Sequence, residues 1–247
     1  MKRIAVLYLS LAIYAFAQAQ FRTQLFVDNV KTLQVIFPDD PLALPIMDLD
    51  SENRLCVSFD ELSFDIKNYH YKIVHCNADW TPSNLQESEF LEGFANGQIT
   101  DYALSRNTTK LYTNYRFFVP NDDLKLKISG NYAVLIAEDN DFDNLIGTAC
   151  FSVVEPLLSV NAKVRGNTDI ELNGRFQQLE ITIDRTGYEV RDPFSEIKVL
   201  VRQNNRFDTQ SANLKPTFIS GNTLTFINNR ALIFEGGNQY RGIDFAS

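Results

Sequence analysis

The stretch YHYKIVHCNADW, Tyr69 to Trp80, holds both histidines, one of the three cysteines and the single tryptophan of a 247-residue chain. Histidine, cysteine and aspartate this close suggest a thiolate activated by an imidazole, or a mixed nitrogen, sulfur and carboxylate metal site. Spacing argues against both. YHYKIVHC alternates as a strand does, so His75 and Cys76 point to opposite faces and cannot act on each other. His70 and His75 lie an odd number of residues apart and also face apart, so joint chelation requires a bend between them. Asp79 and Trp80 read as a strand end, an Asx-type turn and an aromatic anchor.

A second candidate is EDNDFDN. Asp139, Asp141 and Asp143 alternate as the first three ligands of a calcium loop do, but Asn144 and Cys150 stand where an EF-hand needs glycine and glutamate. A solvated hairpin tip is the preferred reading, with looser calcium binding left open. No phosphate loop, dinucleotide fingerprint, H-E-x-x-H or G-x-S-x-G motif occurs. Two histidines on one strand give a Ser–His–Asp arrangement little to build from. A glycosidase's paired carboxylates lie apart in a chain, and nothing singles out such a pair. Catalytic residues, metal ligands and cofactors are therefore not expected, and a small-molecule ligand is disfavoured. Cys56, Cys76 and Cys150 lie far apart with no metal-ligand spacing, and read as small buried apolar residues with pairing left open.

The elements that hold these residues are strands. Valine, isoleucine, phenylalanine, tyrosine and threonine alternate with polar residues in short runs punctuated by Gly, Asn, Asp and Pro. The runs are Val30–Phe37, Arg54–Asp60, Tyr69–Cys76, Leu111–Val119, Asn131–Glu138 and Thr148–Val154. Leu55, Val57 and Phe59 share one face, as do Tyr69, Tyr71 and Ile73. Strands at this spacing imply an all-β fold, and SGNYAVLIAED followed by GTACFSVVEP has the form of the last hairpin of an immunoglobulin-like β-sandwich. Glu155-Pro156 makes the exit. The pattern restarts in LLSVNAKV, QQLEITIDR, SEIKVLVRQ, LTFI and ALIFEGG, which predicts a second β domain over 157–247, truncated at its end.

Between Cys76 and Leu111 the rhythm breaks. Thr81 and Pro82 suit a helix start in TPSNLQESEFLEGF, and the rest of Asn77–Lys110 shows little periodicity. A connection this long in a compact sandwich is the place to seek a binding surface, with Trp80, Phe90, Phe94 and Tyr102 as candidate partner-binding anchors. At least two of these are expected to pack beneath the segment instead.

Met1-Lys2-Arg3, the apolar run Ile4 to Phe16 and the small residues of Ala17-Gln18-Ala19 read as a secretory signal peptide over 1–19. Gln20 would follow the cleavage, and a lipid anchor there would need cysteine. The sandwich then spans 20–156. Beyond the leader, 21 basic residues face 31 acidic ones, scattered without a stripe. That lacks the footprint of nucleic-acid binding and gives no general attraction to anionic lipid. No later window is apolar enough to span a membrane as a helix.

Taken in order, YKIVHCNADWTPSNL, EFLEGFANGQITDYALSRNTTKLYTNYRFFVPN and SGNYAVLIAED, then QNNRFD and FEGGNQYRGID, resemble the plug proteins of the type IX secretion system. The resemblance covers about residues 21–247. It implies an exported, non-enzymatic periplasmic protein that binds the outer-membrane translocon β-barrel and closes its periplasmic mouth. It also implies association with the outer membrane through that partner, without direct insertion. Three readings stand beside it: an exported carbohydrate-binding β-sandwich module, a glycoside hydrolase, and a fragment of an outer-membrane barrel. Charged and amide side chains on both faces of several strands speak against the barrel.

Overall fold

A computed structural model describes residues 20–237, apart from 173 and 207. The expected signal peptide, 1–19, and the final QYRGIDFAS lie outside the described residues. The chain is almost wholly β, 47% strand and 6% helix, and divides after Glu155 into two compact units.

Unit 1 contains twelve strands: β1 (Gln24–Leu25), β2 (Val30–Ile36), β3 (Ile46–Asp48), β4 (Leu55–Glu61), β5 (Tyr69–Cys76), β6 (Leu91–Gly93), β7 (Asn96–Gln98), β8 (Asp101–Leu104), β9 (Thr113–Val119), β10 (Leu124–Leu126), β11 (Gly130–Glu138) and β12 (Leu145–Val154). One sheet runs β1-β12-β11-β5-β7, with β3 also on β12, and the other runs β2-β4-β9-β8. β6 and β10 form a separate ribbon. Alternation explains why these segments are strands: every second residue faces the gap between the sheets. Leu55, Val57 and Phe59 from β4 meet Tyr69, Tyr71 and Ile73 from β5, all buried. Tyr71 stacks on Phe117 of β9 at 4.5 Å, and Tyr69 meets Tyr115 edge-on at 4.9 Å. Such pairs add about 0.5–1.5 kcal/mol each beyond the area they bury. At the start of β11 the Tyr132 hydroxyl donates to the Ile128 carbonyl at 2.7 Å, the tyrosine corner of immunoglobulin-like sandwiches.

The segment Asn77–Lys110 is more ordered than its sequence suggests. β7 pairs with β5 and β8 pairs with β9, so the chain crosses from one sheet to the other between Gln98 and Asp101. Its helix, α1 (Glu87–Phe90), starts later than Thr81. Asp79 accepts from both the Thr81 amide and hydroxyl, at 3.1 and 2.7 Å, which keeps Thr81 in an Asx turn. The Gln86 amide instead donates to the Glu89 carboxylate at 2.6 Å and opens the helix.

Unit 2 is built on a sheet of β13 (Ser159–Arg165), β14 (Phe176–Asp184), β18 (Thr223–Phe226) and β17 (Phe218–Ser220), with β19 (Ile233–Glu235) also on β14. A ribbon of β15 (Val201–Arg202) and β16 (Gln210–Ser211) accompanies it. Ile181, Ile183, Leu214, Leu224, Phe226 and Leu232 form its core. The alternating run SEIKVLVRQ becomes a strand only at Val201–Arg202, preceded by a short helix, α2 (Pro193–Glu196). Ile197 and Val199 do pack against the core, but among the described residues the pairing there is with the two residues of β16.

Candidate functional site

His75, at the end of β5, is held as a structural residue. Its Nδ1 lies 2.9 Å from the Ser83 hydroxyl, and its ring meets Tyr132 edge-on at 5.1 Å and Phe90 at 5.7 Å. Burial depresses its pKa, favouring the neutral imidazole. Its Nε2 faces Gly130, where an added Cβ would lie 2.3 Å away. Cys76 is on the opposite face, its thiol pushed up to about 11 by burial, and burial likewise raises Cys150 to about 12. All three cysteines are free. Thiols held protonated in this way are poor nucleophiles at neutral pH.

The acidic hairpin tip is a turn. Asp139 and Asn140 take positive φ angles, 51° and 62°. Asp141 accepts from the Asp143 amide at 3.3 Å and the Asn144 side chain at 2.8 Å, and Asp139 accepts from Asn68 at 3.2 Å. Among the described residues no three His, Cys, Asp or Glu side chains gather in a metal-binding group, and no helix is long and apolar enough to cross a membrane.

The four aromatic anchors separate. Phe90, at the end of α1, is 4% exposed and belongs to the core, so it is not on offer to a partner. Trp80 is half-buried in a tight turn at φ 67°. Its amide donates to the Asn77 carbonyl and its own carbonyl accepts from Phe21. Phe94 is 71% exposed. Tyr102, on edge strand β8, is also exposed while its ring packs on Tyr115 at 5.9 Å.

Sequence reasoning missed two features. One is a buried polar network. Glu61, 1% exposed, ends the inward row Leu55, Val57, Phe59. It accepts from the Tyr69 hydroxyl at 2.6 Å and from Asn29 at 2.9 and 3.1 Å. Lys67 stands 3.7 Å from Glu61 and 3.3 Å from Glu138. Burial works to lower the Lys67 pKa, yet the bonds to Glu138 and Glu61 outweigh it and raise it overall. The parity of Leu55, Val57 and Phe59 carries this signal one residue past the expected strand end. The second is an apolar group above this network, on the β4–β5 loop and around the β8–β9 turn. An open cleft of about 560 Å³ near the β2–β3 loop, lined by Asp39, Asp48, Glu52 and Arg54 among others, brings no nucleophile or metal set together.

A family model described as the type 9 secretion system plug protein 1st domain matches residues 30–155. Among solved structures, a hypothetical protein from Parabacteroides merdae ATCC 43184 shares 41% identity at a TM-score of 0.87, over 91% of this chain and 56% of that one. This chain therefore spans little more than half the length of that relative. A DNA-bound alkylpurine DNA glycosylase from Pseudomonas fluorescens shares 11% identity at a TM-score of 0.28, over 51% of this chain and 31% of that one. No curated protein matches.

Proposed function

Because the chain belongs to the type 9 secretion system plug family, we propose that it is a non-enzymatic component of that system. In this reading it is exported by the leader in residues 1–19 and works in the periplasm. There it binds the outer-membrane translocon barrel and closes the barrel's periplasmic mouth while no cargo passes. The family match carries the reading: it begins at Val30, the first residue of β2, and ends at Glu155, where unit 1 ends. It thus covers a sandwich core rather than a short motif.

The physical chemistry of the sandwich supports the same role. Closing a wide aqueous opening calls for a stiff body and a docking surface. Interlocked aromatics between two sheets supply stiffness, while buried thiols and a packed, neutral His75 leave little reactive chemistry around His75 and Cys76. Of the four anchors, Phe94 and Tyr102 present the most surface to a partner.

Purified translocon in a planar bilayer provides the test. Adding the full chain to the periplasmic side should lower the open-channel conductance in a concentration-dependent way. Conductance unchanged at saturating protein would sink the reading.

A further inference from the structure

We infer that unit 1 docks on the barrel through the end of its sandwich remote from Val154, using the β4–β5 loop and the β8–β9 turn. This inference rests on the plug reading above. Leu62, Phe64, Ile66, Tyr102, Leu104 and Leu111 are all between 36% and 56% exposed. The register brings them together. Leu104 pairs with Thr113 and Tyr102 with Tyr115, the Thr113 hydroxyl donates to the Ser63 carbonyl at 3.1 Å, and the Lys67 amide donates to the Tyr115 hydroxyl at 2.7 Å.

The loop is arranged opposite to what folding alone favours. Ser63 and Lys67 tie it down through polar bonds, while the apolar Leu62, Phe64 and Ile66 are left facing water. Across from it, Ser105 and Tyr112 close the neck of the β8–β9 turn with two 2.9 Å bonds, which fixes Leu104 and Leu111 in place. Together the six side chains expose on the order of 500 Å², the size of the largest patch on an ordinary monomer and often a binding site. A surface held in shape before binding loses less freedom on binding.

Charge selects the occupant. Arg106 and Lys110 stand exposed on the β8–β9 turn and Asp65 stands exposed on the facing loop, so the patch is net basic in a chain whose net charge is −8. The surface they fit is an apolar ridge with carboxylates at its rim. A second copy docked through the same patch would bring these cations against each other. The patch therefore suits an acidic-rimmed apolar surface at the periplasmic mouth of the barrel.

The full chain, tagged, is incubated with detergent-solubilised outer membranes of its own bacterium, and retained proteins are identified by mass spectrometry. Wild type is compared with Phe64→Asp/Ile66→Asp and with Arg106→Glu/Lys110→Glu, each checked for fold by circular dichroism and Trp80 fluorescence. Wild type should retain one very large outer-membrane β-barrel. Each variant should retain at least about tenfold less, as expected for loss of interface anchors, and added salt should weaken wild-type retention. A folded variant that keeps the barrel at the wild-type level overturns the patch and leaves the plug reading standing. Wild type that retains no barrel removes both. A concentration-dependent dimer in light scattering, abolished by Phe64→Asp, would hand the patch to a second copy and overturn the inference.

Discussion

Replacing Glu61 tests the physical account of unit 1 most directly. Its carboxylate is buried and accepts from Tyr69 and Asn29, with Lys67 nearby. Glu61→Ala leaves the fully buried Tyr69 hydroxyl without that acceptor, at a cost of about 1–3 kcal/mol. It also removes the Asn29 bonds and one of Lys67's two carboxylates, so the total should reach about 3–5 kcal/mol, as when a buried ionic partner is deleted. Glu61→Gln keeps the volume and one carbonyl acceptor, and should cost only about 1–2 kcal/mol. Adding Tyr69→Phe to Glu61→Ala removes the orphaned hydroxyl, so the double variant should be less destabilised than the two single effects summed. Urea unfolding followed by tryptophan fluorescence is the assay. The single tryptophan, Trp80, lies in unit 1. A loss below about 1 kcal/mol for Glu61→Ala, or equal losses for Ala and Gln, would refute the reasoning.

Further substitutions probe other parts of the sandwich. Gly130→Ala puts a Cβ 2.3 Å from the His75 ring at a φ of 149°, so it should destabilise unit 1 by about 1–3 kcal/mol; pairing it with His75→Ala should recover part of that loss in the same urea assay. Phe90→Ala should cost about 3–5 kcal/mol, whereas Phe94→Ser should stay within about 0.5 kcal/mol; similar midpoints for the two would mean that their burial has been misjudged. His75 titrates lower in the fold than its ordinary value of 6.5, chiefly because it is buried. Between the folded value and 6.5 the unfolded chain binds more protons, so stability rises with pH there and is lost on acidification. Wild type should therefore lose more stability than His75→Asn on going from about pH 7 to about pH 5, and parallel curves would show that His75 contributes nothing to the slope.

The strands that alternate cleanly were legible in the sequence. Tyr69–Cys76 matches its strand end to end, and Val30–Ile36 and Leu55–Glu61 are displaced by a residue at most. Period-two patterning is visible because one face of each is buried. β7 and β8 were not legible: with three or four residues each, and β8 exposed throughout, they leave no alternation to find. Conversely, EIKVLV alternates over a length that finds only two paired residues, since a pattern records burial and not a ladder partner. Within the site, Phe90 and Phe94 look alike as loop aromatics, and the end of α1 at Phe90, with extended β6 between them, separates the core residue from the surface one. The Glu61 network was hidden because Asn29 and Tyr69 come from different elements, 32 and 8 residues away. Leu62, Phe64 and Ile66 have the opposite parity to Leu55, Val57 and Phe59, but parity alone does not say which set faces water.

Unit 1 is closed by residues from its two ends. Gln24 in β1 pairs with Thr148 in β12, and the Thr148 hydroxyl donates to the Arg22 carbonyl at 2.5 Å, across 126 positions. A chain that emerges from its N-terminus therefore carries β1 without a partner until almost the whole unit has followed. The β5–β11 pairing also waits, since Tyr69 meets Glu138 and Cys76 meets Asn131. Contacts across such distances can form only after both partners are present, so they come late in assembly. The same topology that makes a stiff body when complete leaves a partial chain without the partners its first strands need.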